Sequence, residues 1–114
     1  MTTRTHLLEI YDAEGYRGSN PVKVRGIGLV RGPEGQQYYV VEPAEPIFCD
    51  DNPIRQLAIR CHYNDPAARM EDSTCTVGIA LSPTGEPYVV GQQYGFADFV
   101  FWRVGKIQRC EGEC

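Results

Sequence analysis

The chain has no apolar run approaching the ~20 residues of a membrane span. Its opening stretch, Met1 to Glu9, holds no continuous apolar core of signal-peptide length. The expectation is a soluble, cytoplasmic protein with no membrane partner. Positive charge is in deficit as well. The 11 Lys and Arg residues stand against 15 Asp and Glu, for a formal net charge of −4. No general positive field is therefore available to hold phosphate backbones, and nucleic acid is not expected as a partner. The basic residues that do cluster, Arg17, Lys23, Arg25 and Arg31, suit a solvated strand face.

Several motifs are missing too. Gly26-Ile-Gly28 lacks the third glycine and the following helix of a dinucleotide fingerprint, and neither Gly-x-Ser-x-Gly nor His-Glu-x-x-His occurs. No cofactor is expected, and no motif carries a resemblance to a known family. Heptads and low-complexity tracts are also missing. A chain of 114 residues suits a single domain over 1–114, with a disordered tail expected over 108–114.

What the chain does have is turn chemistry. Twelve glycines and eight prolines punctuate short apolar runs, which favours many short strands over a few long helices. Ile27 to Val41 and Ile79 to Val90 each read as an apolar run, a Pro-x-Gly turn and a Tyr-Val-Val return. Proline presets the first turn dihedral and glycine accepts positive φ, so both segments are predicted to be β-hairpins. The expected fold is mainly β, with α+β as the alternative: one antiparallel, strongly bent sheet of about seven strands, closed partly into a barrel or sandwich, with one or two short helices.

Other predicted elements follow from parity. His6 to Tyr11 reads as the first strand. Val22 and Val24 are apolar on even positions and Ile27 and Leu29 on odd ones, a phase slip that predicts a bulge at Arg25-Gly26. Glu42 to Pro53 carries no period and is expected to be a long surface connection. Asn52-Pro53 resembles a helix cap, so a single helical turn is expected there, followed by a strand from Leu57 with Ile59, Cys61 and Tyr63 on one parity. Asp65 to Asp72 is expected to form a short helix or a structured loop. Thr74 to Ser82 alternates cleanly. Between Gly95 and Val104, parity puts Phe99 and Phe101 on one face and Val100, Trp102 and Val104 on the other.

Three strands, Tyr38 to Val41, Tyr88 to Val90 and Phe99 to Val104, are apolar on both faces. A homodimer would cover the second face. A long loop or the short helix is the alternative cover.

Functional expectations follow from the same residues. The surplus of rigid aromatics, among them Trp102, Phe99, Phe101, Tyr38, Tyr88 and Tyr63, points to a non-catalytic module. It would bind a small apolar or aromatic ligand or a protein partner, and be homodimeric, with its pocket or interface around Trp102. The alternative is a small enzyme. Asp98, set among Phe96, Phe99 and Trp102, would pair with His62 as acid and base at a barrel mouth. A third reading is metal binding through cysteine. Of the five, Cys49, Cys61, Cys75, Cys110 and Cys114, only Cys110 and Cys114 have zinc-like spacing, and no metal site is expected. An odd number of thiols in a cytosolic chain fits free cysteines better than disulfides.

Overall fold

The computed structural model describes residues 5–12, 14–61 and 74–109. Among them nine strands form: β1 Thr5–Ile10, β2 Tyr16–Arg17, β3 Val22–Arg31, β4 Gln37–Pro43, β5 Ile47–Cys49, β6 Asn52–Ile54, β7 Leu57–Cys61, β8 Thr74–Leu81 and β9 Val100–Arg109. Six close into an antiparallel barrel in the order β1-β3-β4-β7-β8-β9, with β9 returning to pair β1. The other three form a small sheet, β2-β5-β6. The one helical element among the described residues is a 3-10 turn, Phe96–Asp98.

Period-two alternation builds the barrel interior. Leu8 and Ile10 of β1, Val22 and Val24 of β3, Tyr39 and Val41 of β4, Leu57 and Ile59 of β7, Val77 and Ile79 of β8 and Ile107 of β9 form one buried cluster. Ile47 and Ile54 of the small sheet join it.

The first predicted hairpin forms. β3 and β4 pair from Val24↔Pro43 to Arg31↔Gln37, and the Gly32 N–H donates to the Gln36 carbonyl at 2.7 Å. Gly35 takes φ 79°, the left-handed conformation the turn requires. The predicted bulge is also present one step further on, where Ile27 is extra between Gly26↔Val41 and Gly28↔Val40.

The second predicted hairpin does not form. The turn exists, since the Gly85 N–H donates to the Ser82 carbonyl at 3.2 Å, but Tyr88 to Val90 lie outside any ladder. Both edges of β8 are already taken, by β7 and by β9, so no edge remains for a returning strand. The returning segment goes elsewhere. The Gly91 N–H donates to the Leu29 carbonyl, the Arg31 N–H to Gln92 and the Tyr94 N–H to Arg31, at 2.8–3.0 Å. β1 pairs only the first part of β3, from Val22 to Arg25, and residues 91–94 bind the edge beyond it.

Three other expectations are corrected. Glu42 to Pro53 is not a plain connection: β5 and β6 form a two-residue hairpin through Asp50 and Asp51, at φ 50° and 67°. Aspartate is among the few non-glycine residues that tolerate this conformation, so a tight turn forms without its usual glycine. The turn expected at Asn52-Pro53 is strand β6, because both residues are held in the ladder opposite Cys49 and Phe48. The tail does not begin at 108, since Gln108 pairs with both Leu7 and Thr74, and β9 runs to Arg109. The helix expected over 65–72 lies outside the described residues.

At β9 the parity reading holds for Phe99 and Phe101 but fails beyond them through a bulge that separates Trp102 from Val104. Ile79 pairs with Arg103 and Ala80 with Phe101, leaving Trp102 extra. The inserted residue resets the alternation, so Phe101 and Val104 come to the same outer face, opposite Ala80 and Gly78.

Candidate functional site

The outer barrel face is assembled by register. Val40 of β4 stands opposite Ala58 of β7, which stands opposite Ala80 of β8, which stands opposite Phe101 of β9. One step along, Arg60 faces Gly78 and Gly78 faces Val104. Directly opposed residues share a face, so these two rows are neighbours on one surface.

Half of that surface is covered by the chain itself. Val30, Val40, Ala58, Ala80 and Tyr88 form a second buried cluster outside the barrel, with Tyr38, Tyr94 and Phe99 packed against it. Phe99 stacks on Tyr38 at 4.0 Å and on Tyr88 at 5.3 Å between centroids, and Tyr94 meets Tyr88 edge-on at 5.0 Å. The long loop thus covers the second apolar face of β4, the alternative to a dimer at that position.

Two hydrogen bonds fix Tyr88. Its N–H donates to Gln56 Oε1 at 2.8 Å, and its hydroxyl donates to the Asp98 carbonyl. Burial pushes the Tyr88 phenol well above its ordinary value, aided by the nearby Asp98 carboxylate and then by Tyr94 and Tyr38. The unfolded chain ionises this group near pH 10.0, whereas the native state keeps its proton. Stability from this group is therefore complete below that pH and falls as pH rises above it. Tyr88→Phe is expected to cost about 1 kcal/mol at neutral pH and to flatten the alkaline fall. Urea unfolding curves from pH 8 to pH 11 check both.

The other half of the face is bare. Phe101 is 66% exposed and Val104 36%. The Phe101 ring lies over Gly78, where an added Cβ would sit 3.9 Å from Cε2, an ordinary contact. Arg60, on the far side of Gly78, sets its guanidinium carbon 5.9 Å from the Tyr38 ring centroid. Thr76 and Lys106, the next cross-strand pair, are exposed on the same side.

The predicted binding residues thus separate into distinct environments. Tyr38, Tyr88 and Phe99 form the covered stack and Phe101 the bare platform. Trp102 belongs to neither. Its indole packs on the barrel core beside Tyr16 of the small sheet, 6.2 Å between centroids, and its N–H donates to Cys49 Sγ at 3.2 Å. Arg103 lies 5.7 Å from the Trp102 ring and donates to the Asp12 carbonyl at 2.8 Å. This seam joins the two sheets. Tyr63 lies outside the described residues.

The proposed acid, Asp98, uses its carboxylate locally: Oδ2 accepts the Gly95 N–H at 2.9 Å and caps the 3-10 turn. His62 lies outside the described residues. No cluster of three His, Cys, Asp or Glu side chains occurs among the described residues, and Cys110 and Cys114 fall beyond them. No helix in the described residues is long and apolar enough to cross a membrane.

Arg60, Gly78 and Val104 were not singled out by the sequence reading. Their juxtaposition depends on register across three strands. The available signal was compositional, because β7 and β9 contain cations and β7, β8 and β9 contain no Asp or Glu. Comparison with protein-family models, with curated proteins and with solved structures finds no match for this chain.

Proposed function

We propose that the chain is a non-catalytic protein-interaction module that docks its partner on the bare half of the outer barrel face, centred on Phe101. One observation carries this reading: a phenylalanine 66% exposed rests on a glycine within a rigid ladder, with Val104 and Arg60 on either side. Exposed aromatics on a fixed backbone, rimmed by polar groups, are the usual anchors of protein interfaces.

Two features favour a surface partner over an enclosed ligand. The barrel interior is occupied by aliphatic side chains at zero exposure, including Leu57, Ile59, Val77, Ile79 and Ile107. Two clefts formed by described residues open to solvent and are lined about equally by polar and apolar groups. One, of about 360 Å³, lies between Pro53–Gln56 and Leu81–Glu86, and another, of about 400 Å³, lies around Arg25, Glu42 and Arg55. Ligand sites are commonly apolar and enclosing.

A photo-crosslinking amino acid at position 101, introduced into the full chain in cells, is expected to give a discrete adduct. The same group at Glu34, in the exposed β3–β4 turn, should give none. An adduct at twice the chain's mass would identify the partner as a second copy. Equal labelling at both positions, or none at 101, would sink the reading.

A further inference from the structure

We infer that the partner seated on Phe101 is a protein segment combining an apolar anchor with carboxylates, and not a second copy of this chain; this rests on the interaction reading above. The argument is charge segregation. The chain carries 15 Asp and Glu, yet β7, β8 and β9, three adjacent strands of the barrel, contain none of them. The same strands contain Arg60, Arg103, Lys106 and Arg109.

Of these, Arg103 is spent on the Asp12 and Glu14 carbonyls. Arg60 and Lys106 are exposed on the face that carries Phe101 and Val104, and neither has a carboxylate ion-pair partner among the described residues. Glu9 is the cross-strand neighbour of Lys106 on β1, so positive charge is densest on the Arg60 side. Neighbouring strands lie roughly 4.8 Å apart. Arg60 is one strand from Gly78, over which the Phe101 ring lies, a backbone spacing inside the ~8 Å Debye length at physiological salt, so a carboxylate seated beside Phe101 feels the guanidinium only partly screened.

A two-fold copy would bring the same cation-bearing, carboxylate-free strands against themselves, since an isologous interface uses one patch on both subunits. A carboxylate-bearing partner meets complementary charge instead, which governs specificity and association rate at an interface rim. A nucleic acid is disfavoured by the net charge of −4 and by the single unshielded aromatic on these strands.

Random peptides displayed on phage and panned against the full chain test this. Enriched sequences are expected to pair an aromatic or aliphatic residue with flanking Asp or Glu. Phe101→Ala should weaken their binding about tenfold, added salt should weaken it further, and Arg60→Glu should reverse the preference toward basic peptides. Both positions are exposed, and thermal melts of the variants confirm that they fold. Phe101-dependent peptides without acidic bias, or binding unchanged by Arg60→Glu, would overturn the inference and leave the interaction reading standing. So would a Phe101-dependent dimer in sedimentation, or displacement of the peptides by single-stranded oligothymidine. Enrichment of no Phe101-dependent peptide would remove both.

Discussion

Replacing Gly105 with alanine is expected to destabilise the protein by about 3 kcal/mol or more, the upper range for overpacking a filled core. Gly105 pairs with Ile10 on one side and Val77 on the other, where the last strand closes the barrel. A Cβ there would overlap the Glu9 carbonyl oxygen and lie 3.1 Å from Ile79 Cδ1. A side chain could move aside, but the carbonyl belongs to a neighbouring strand held by its own ladder. The closing seam itself must therefore open. Gly35→Ala is the control: its added methyl meets nothing within 4 Å, and only the left-handed φ of 79° opposes it, for a cost of about 1 kcal/mol. Urea unfolding of the two variants should separate them clearly. Equal midpoints would show that the seam is looser than its geometry implies.

Ile59→Ala should cost about 2–5 kcal/mol, against typical domain stabilities of about 5–15 kcal/mol. Ile59 has zero exposure at the centre of the barrel and stands between its cross-strand partners Tyr39 and Ile79. Truncation removes transfer energy and leaves a cavity that rigid strands on both sides cannot collapse to fill. For a domain of this size each kcal/mol lowers Tm by about 4–8 °C. Thermal unfolding by circular dichroism checks it, and a loss below about 1 kcal/mol would mean that the barrel relaxes around the deletion.

Local patterns in the sequence carried much of this architecture. The β3–β4 hairpin was legible because its turn chemistry and its register agree within fifteen consecutive residues, and the glycine-marked bulge because a phase slip is a local signature. The second Pro-x-Gly turn was equally legible as a turn, but not as a hairpin. Whether a returning segment pairs depends on whether an edge is free, and the edges of β8 were taken by strands distant in sequence. The Asp50-Asp51 turn was missed because it uses aspartates where glycine is the familiar sign.

The site divided along the same line. Aromatic surplus marked Tyr38, Tyr88, Phe99 and Phe101 as worth attention, but parity alone placed Phe99 and Phe101 on one face. Both rings do lie on the outer barrel side, and the stack with Tyr38 assigns Phe99 to its covered half while Phe101 is left to solvent. Trp102, singled out as the centre of a pocket, joins the two sheets. Arg60 became conspicuous only when register set it across a glycine from Val104.

The pairing of β1 with β9 has a kinetic corollary. His6 and Arg109 meet although they lie 103 positions apart in sequence, so the step that finishes the cylinder is also the one with the largest loop-closure entropy. A nascent chain emerging from the ribosome holds an open, aggregation-prone trough until β9 is synthesised, and closure of the barrel should be slow.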